Sequence, residues 1–335
     1  MKKTISLIIP NYNGSSTIGK CLEAALSSKY GNFEVVVVDD CSVDNSVEII
    51  RQFPVQLVAL EKHAGASSAR NRGAEKSRGE ILFFTDADCL LRDDALSLAN
   101  EAVAGNPGAI IGGTYTALPY DVGFFSTFQS LFIRYSETKK KEPDYLAGHA
   151  MVMEASLFRE SGGFPQDILA IPEDVKFSHN LRRRGHRLIM KPELQVTHVF
   201  DFSLQKSLRN AFRKAKFWTV YSLENRDLLA DSGTASLELK INGAFFSLNV
   251  LCVLLFFYRQ EPSWFLPVPF LFGANLITSR GLLKLSFRSK GLWFAVAAAM
   301  YYSLVYPLPV IAGACAGIVK HGLIRRDKKV TVSQR

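Results

Sequence analysis

The sequence predicts an α/β domain followed by membrane-associated helices. Short apolar runs alternate with amphipathic stretches over the first 115 residues. Polar, acid-bearing clusters directly follow those runs, and long apolar segments occupy the C-terminal part. With 335 residues the chain has room for more than one domain and a sizeable core.

The runs "TISLII" (4–9), "EVVVVD" (34–39), "VQLVAL" (55–60) and "EILFF" (80–84) read as strands. Between and after them, residues 17–28, 44–52, 66–77 and 93–104 have helical spacing. Val35 to Val38 is apolar on both faces, as in a parallel strand covered by helices on either side. Ligands of such sheets bind at the carboxyl ends of the strands. Each polar cluster lies there: "PNYNG" after the first strand, "DDCS" after the second and "TDADC" after the fourth.

Residues 205–229 interleave Arg209, Arg213, Lys214 and Lys216 with Leu208, Phe212, Phe217 and Trp218. This is the pattern of an amphipathic helix on a membrane interface, or of a solvated helix packed on the domain. Apolar segments follow at 241–258, 263–279 and 291–319. A span needs roughly 20 apolar residues. The first two are short, and Pro262, Pro267 and Pro269 interrupt the second, but together the three predict membrane attachment.

The basic stretch "RGLLKLSFRSK" (280–290) is expected on the cytoplasmic side, after an outgoing span at 241–258 and a returning one at 263–279. The tail "KHGLIRRDKK" (320–329) is also basic. A hairpin bent at Pro307-Leu308-Pro309 keeps it inside, whereas a single span at 291–319 puts it outside. The expected organisation is an α/β domain at 1–203 (halves 1–115 and 116–203) and a helical interfacial region at 204–232. Membrane segments follow within 240–320, then a basic tail at 321–335.

The net charge is +9, but it is unevenly spread. From residue 201 onward 18 Lys and Arg face 7 Asp and Glu, whereas the first 200 residues hold 22 and 24. Basic residues flanking apolar segments suit an anionic membrane surface, and no nucleic-acid motif accompanies them. Cys21, Cys41, Cys89, Cys252 and Cys315 are scattered without a C-x-x-C pair, so their spacing implies neither a disulfide framework nor a zinc site. The N-terminal run Ile5 to Ile9 is too short for a signal-peptide core, so the first domain is expected on the cytoplasmic side.

Asp86 and Asp88 form a D-x-D. If the strand continues through them, both acids face one side. Two oxygen-rich groups on one face suit a hard divalent cation, Mg²⁺ or Mn²⁺, and a diphosphate supplies further ligands. Read alone, they equally fit solvated loop acids at a helix start.

The stretches "SLIIPNYNGSSTIGKCLEAAL", "EVVVVDDCSVDNS", "GASSARNRGAEKSRGEILFFTDADC" and "GGFPQDILAIPEDVKFSHNLRRRGHRL" occur in order, and the resemblance they carry covers residues 4–220. Together they resemble an inverting family 2 glycosyltransferase with the GT-A fold. The resemblance implies that Pro10, Asn11 and Tyr12 line the nucleobase pocket of a UDP-, GDP- or dTDP-sugar and that Asp40 accepts from the base. Asp40 as a helix cap is the competing reading. Arg70 is implied near the base or diphosphate, Asp86 near the ribose or a metal-bound water, and Asp88 on the metal. His198 would complete the metal site, and Cys89 stands where many relatives carry a further acid. In "IPEDVKF" the resemblance makes Asp174 the base that deprotonates the acceptor hydroxyl, with Glu173 orienting acceptor or base.

Asn180 departs from the Arg usual after the Glu-Asp pair, and the Q-x-x-R-W of processive polymerases is missing. The missing motif implies transfer of a single sugar, and with the expected membrane segments the acceptor is expected to be a lipid-linked or membrane-proximal hydroxyl at the cytoplasmic (inner) membrane. A polyprenyl-phosphate sugar synthase is the alternative enzyme, and a non-enzymatic membrane protein keeping the fold is the alternative class. A nucleotidyltransferase would need a Gly-rich, basic loop after the first strand, and "PNYNG" is not one.

Overall fold

The computed structural model describes residues 2–166 and 173–333. They form two compact units: Met1–Val122 with Ser136–Asp201, and Gly123–Tyr135 with Phe202–Arg335.

The first unit begins with the predicted alternation. Strand β1 (Ile5–Asn11) is followed by helix α1 (Ile18–Leu26), β2 (Phe33–Asp39), α2 (Ser46–Ile50), β3 (Gln56–Ala59), α3 (Gly65–Lys76) and β4 (Ile81–Phe84). Every one of these lies within a few residues of its expected bounds. β1, β2, β3 and β4 pair in parallel, and Ile5, Leu7, Ile8, Ile9 and Val36 to Val38 are fully buried. Such two-sided burial explains their unbroken apolar sequence. A Cβ at Gly73 of α3 would meet Ile8 Cγ2 at 2.5 Å and Val38 Cγ2 at 3.1 Å, so glycine lets α3 lie directly on the sheet.

Beyond β4 the sheet is no longer purely parallel. Strand β5 (Cys89–Leu91), helix α4 (Ala95–Ala104) and β6 (Ile110–Tyr115) come next, then helix α5 (Phe124–Glu137). A 3₁₀ turn (Gly148–Ala150), β7 (Met151–Glu154), α6 (Ala155–Ser161), α7 (Glu173–Arg183) and β8 (Leu188–His198) complete the run. The eight strands are ordered β3-β2-β1-β4-β7-β6-β8-β5. β7 is antiparallel to both β4 and β6, and β5 is antiparallel to β8. Phe84, Phe158, Phe164 and Phe177 form an aromatic core beneath α6 and α7.

The second unit contains most of α5, then α8 (Leu204–Asn225), α9 (Leu237–Arg259), a 3₁₀ turn (Pro262–Phe265) and α10 (Pro267–Thr278). It ends with α11 (Arg280–Met300), a π turn (Tyr301–Val305) and α12 (Pro307–Ser333). Leu237–Arg259 and Arg280–Ile324 are long and apolar enough to cross a membrane. The second stretch is broken at Gly291, whose φ of 82° is non-helical, so the basic segment 280–290 is a helix of its own ahead of the apolar run. The expected span at 263–279 is instead a 3₁₀ turn and the 12 residues of α10. At 1.5 Å per residue that helix is about 18 Å long, short of a hydrocarbon core of about 30 Å.

The predicted amphipathic helix is α8, and it packs along α12. A Cβ at Gly313 would collide with the Phe212 carbonyl, and one at Gly317 would lie 2.7 Å from the Lys216 carbonyl. The Asn242 and Asn275 side chains, both buried, hydrogen-bond at 2.6 Å, and Asn242 Nδ2 donates to the Tyr302 carbonyl at 2.8 Å. These amides tie α9, α10 and the π turn together.

Candidate active site

β4 delivers the D-x-D to the carboxyl edge of the sheet, but the strand does not continue through it. It ends at Phe84, and residues 85–88 turn before β5, with Cys89 N–H donating to the Asp86 carbonyl at 3.0 Å. Asp86 and Asp88 are therefore not i, i+2 neighbours on one strand face, because a turn lacks the alternation of a strand. The two acids take different partners.

Asp86 Oδ1 accepts from Arg70 Nη2 at 2.6 Å. The same guanidinium reaches Glu173 Oε1 through Nη1 at 2.5 Å. Arg70 is 4% exposed, projects from α3 and runs beside Gly148, where a Cβ would lie 3.0 Å from Nη2. Burial opposes its charge, but Asp86 and Glu173 outweigh that and hold it cationic. Its fork thus joins the D-x-D turn to the Glu-Asp pair, reaching a glutamate 103 residues further along the chain than Arg70 itself.

Glu173 and Asp174 open α7; residues 167–172, including the preceding Ile171 and Pro172 of "IPEDVKF", lie outside the described residues. Asp174 Oδ2 accepts from Gly148 N–H at 3.0 Å and Oδ1 from Val175 N–H at 2.8 Å. Burial, followed by the Glu173 charge, pushes its pKa up to about 6, against the pull of those donors and of Arg70. A carboxylate near that value is basic enough to take a proton and is ionised at neutral pH.

Asp88 Oδ2 lies 3.3 Å from His198 Nε2. β5 pairs with β8 so that Cys89 sits directly opposite His198, which brings the histidine to the turn. Burial works against the Asp88 carboxylate, but the His198 interactions hold its pKa below the usual value. Burial and the Asp88 charge keep the Cys89 thiol protonated. One ligand atom from each of Asp88, Cys89 and His198 falls within 4.8 Å of the others, a group able to receive a metal ion.

At the other end, Pro10 and Asn11 close β1, and Tyr12 is half exposed beyond them. Asn11 is turned inward: its Nδ2 donates to Asp39 Oδ1 at 2.9 Å. Asp40 is 3% exposed and accepts from Ala64 N–H at 2.7 Å and Gly65 N–H at 2.8 Å, at the start of α3. It therefore caps α3, whereas Asp44 accepts from Ser46 N–H at the start of α2.

Three further side chains bear on the site. His63 packs against Tyr12 with centroids 4.2 Å apart and the rings tilted by 35°, and places Nδ1 2.9 Å from Asp40 Oδ2. Asn71 holds Phe164 reciprocally, each bond at 2.8 Å, which fixes the turn at Gly162-Gly163. His149 lies 3.5 Å from Glu137 Oε2 and stacks on Tyr115, which in turn meets His198 edge-on. Glu137 and Tyr115 carry no motif of their own, and only the fold reveals them.

Residues 6–161 match the family model described as "Glycosyl transferase family 2". Glycosyltransferase AglE of Haloferax volcanii is 26% identical over 68% of this chain and 78% of its own length. Glycosyltransferase GlyG of Streptococcus pneumoniae is 30% identical over 34% of this chain, an alignment spanning 40% of that protein. Among solved structures, a mannosyltransferase from Pyrobaculum calidifontis superposes with a TM-score of 0.59 at 20% identity. It covers 96% of this chain and 87% of its own, a likeness of fold. Residues 6–161, which include Arg70, Asp86 and Asp88, are thus similar to glycosyl transferase family 2, and the chain is a nucleotide-sugar-dependent glycosyltransferase with a GT-A-like fold.

Proposed function

We propose that the chain transfers one sugar, with inversion, from a nucleotide-sugar to a hydroxyl of a lipid-linked or membrane-proximal acceptor. The observation that carries this reading is Asp174, raised to about 6 and tied through Glu173 and Arg70 to the D-x-D turn. Direct displacement needs a base on the acceptor side and charge stabilisation on the leaving-group side. Asp174 takes the proton from the attacking hydroxyl, and Gly148 N–H keeps one carboxylate oxygen oriented. Glu173, held by Arg70, orients acceptor or base. Tyr12 and Asp40 receive the nucleobase, with Asn11 and Pro10 forming the floor of that pocket.

Asp88 and His198, with Asp86 beside them, are the residues to hold a divalent cation, Mg²⁺ or Mn²⁺. The superposed mannosyltransferase is described with GDP-Man and Mn²⁺, which agrees with this assignment. When bound, such an ion offsets negative charge on the departing diphosphate. The apolar helices Leu237–Arg259 and Arg280–Ile324 support membrane attachment, and the basic residues flanking them favour a cytoplasmic face for the catalytic domain at the cytoplasmic membrane.

Purified protein is to be offered UDP-, GDP- and dTDP-sugars with Mg²⁺ or Mn²⁺, following release of the nucleoside diphosphate. One donor class should be consumed in an acceptor-dependent way, and NMR of the product should show the inverted anomer. Failure to bind or consume any of them would refute the reading. A polyprenyl-phosphate acceptor is the second reading, which two helices long and apolar enough to cross a membrane support. A phosphate oxygen needs little deprotonation, so substantial transfer by Asp174→Asn would favour it.

A further inference from the structure

We propose that the Cys89 sulfur is a third protein donor to the cation of Asp88 and His198, so that the site favours a thiophilic divalent ion, Co²⁺ or Zn²⁺, over Mg²⁺. This rests on the reading of Asp88 and His198 as metal ligands. Sequence spacing alone places no zinc-type site here; the β5–β8 register does, by setting Cys89 opposite His198.

Asp88 Oδ2 is 3.3 Å from His198 Nε2, and Asp88 Oδ1 is 3.6 Å from Cys89 Sγ. A tetrahedral ion with metal–O and metal–N bonds of about 2.0–2.1 Å and a metal–S bond of about 2.3 Å separates neighbouring ligands by roughly 3.3–3.6 Å. Each distance equals one edge of such a tetrahedron, one measured from each oxygen of the Asp88 carboxylate, and one ligand atom from each of the three residues lies within 4.8 Å of the others. Asp86 is drawn toward Arg70 instead, so the protein supplies a carboxylate, an imidazole and a sulfur. Three protein donors and one open position suit a site that must still receive a substrate oxygen.

The chemistry of this set sorts ions. Mg²⁺ demands oxygen ligands in near-octahedral geometry, whereas sulfur and imidazole favour softer ions. As the metal–sulfur bond forms, the Cys89 S–H bond breaks and its proton leaves to solvent. Neither metal nor sulfur changes oxidation state.

The test uses the full-length protein in detergent micelles, freed of metal, titrated with Co²⁺ or Mn²⁺, alone and with UDP or GDP. Wild type should develop thiolate-to-cobalt charge-transfer absorption in the near ultraviolet at one ion per chain. Cys89→Ser should lose that band and bind Co²⁺ about tenfold more weakly or worse, while its Mn²⁺ affinity, read from free Mn²⁺ by electron paramagnetic resonance, changes less than about threefold. Cys21→Ser, at another buried thiol, should keep the band. Co²⁺ binding by wild type without the band, or a band persisting in Cys89→Ser, overturns the role of Cys89 and leaves the Asp88–His198 reading standing. Binding of neither ion by wild type overturns both. The wild-type spectrum is informative by itself if the variant fails to fold.

Discussion

Asp174→Asn should separate activity from stability. In the folded chain burial and Glu173 raise the Asp174 pKa from its ordinary 3.8 to about 6. At about 1.36 kcal/mol per pH unit, the ionised carboxylate costs the fold up to about 3 kcal/mol. Asparagine carries no charge, keeps an acceptor for Gly148 N–H and relieves the repulsion on Glu173. Replacing the carboxylate also gives up the second backbone contact at Val175, so a net gain of about 1–2 kcal/mol is expected.

The sign fixes the pH window. An acid whose folded pKa lies above its unfolded value weakens the fold as pH rises between the two, here from 3.8 to about 6. The variant should therefore melt about 2–5 °C above wild type at pH 7.5, and the gap should close near pH 4. Transfer to a hydroxyl should fall by about 10³-fold or more while donor binding stays within a few-fold. Thermal melts across pH, with donor titration and turnover at pH 7.5, are the assays. A variant less stable than wild type at pH 7.5, or a gap independent of pH, would refute the electrostatic account. Near-normal turnover of a hydroxyl acceptor would refute the base assignment.

Wild-type kcat/KM for a hydroxyl acceptor should rise about tenfold per pH unit up to about 6 and level off above it, because the ionised Asp174 is the active form; a pH–rate profile checks this. Arg70→Lys can meet Asp86 or Glu173 but not both, so kcat/KM should drop about 100-fold, visible in steady-state kinetics. Asn71→Ala removes both bonds to the Phe164 backbone and should cost about 2 kcal/mol in denaturant melts. Gly317→Leu drives a side chain into Lys216 and Thr219 of α8 and should lower thermal stability of the detergent-solubilised protein by about 1–3 kcal/mol.

Much of the first unit was legible because its signals are local. A buried parallel strand shows as an apolar run, and a loop at its carboxyl end shows as a polar cluster, so β1 to β4 and their helices fall where expected. The later strands carry no such signature. β6, "IIGGTY", is buried throughout yet contains two glycines, and its pairing with β8 shifts register between Gly112 and Thr114. β8 runs from Leu188 to His198 through Pro192, with exposed residues in its middle. The apolar run at 263–279 carries prolines at its start, and the helix it forms, α10, has only 12 residues.

Sequence alone determined which side chains are present for chemistry: the acids at 86, 88, 173 and 174, the arginine at 70, and the strand ends that carry them. Tertiary structure decided how they are shared. A period of two or 3.6 residues cannot encode that Arg70 grips Asp86 and Glu173 at once, because that bridge spans 103 residues and depends on α3 lying flat on β1 and β2 at Gly73. Nor can it encode that Asp88 turns to His198, since the D-x-D sits in a turn and the histidine arrives by the antiparallel register of β8 on β5. Local spacing fixes backbone conformation; the partners of a charge are fixed by which strands lie side by side.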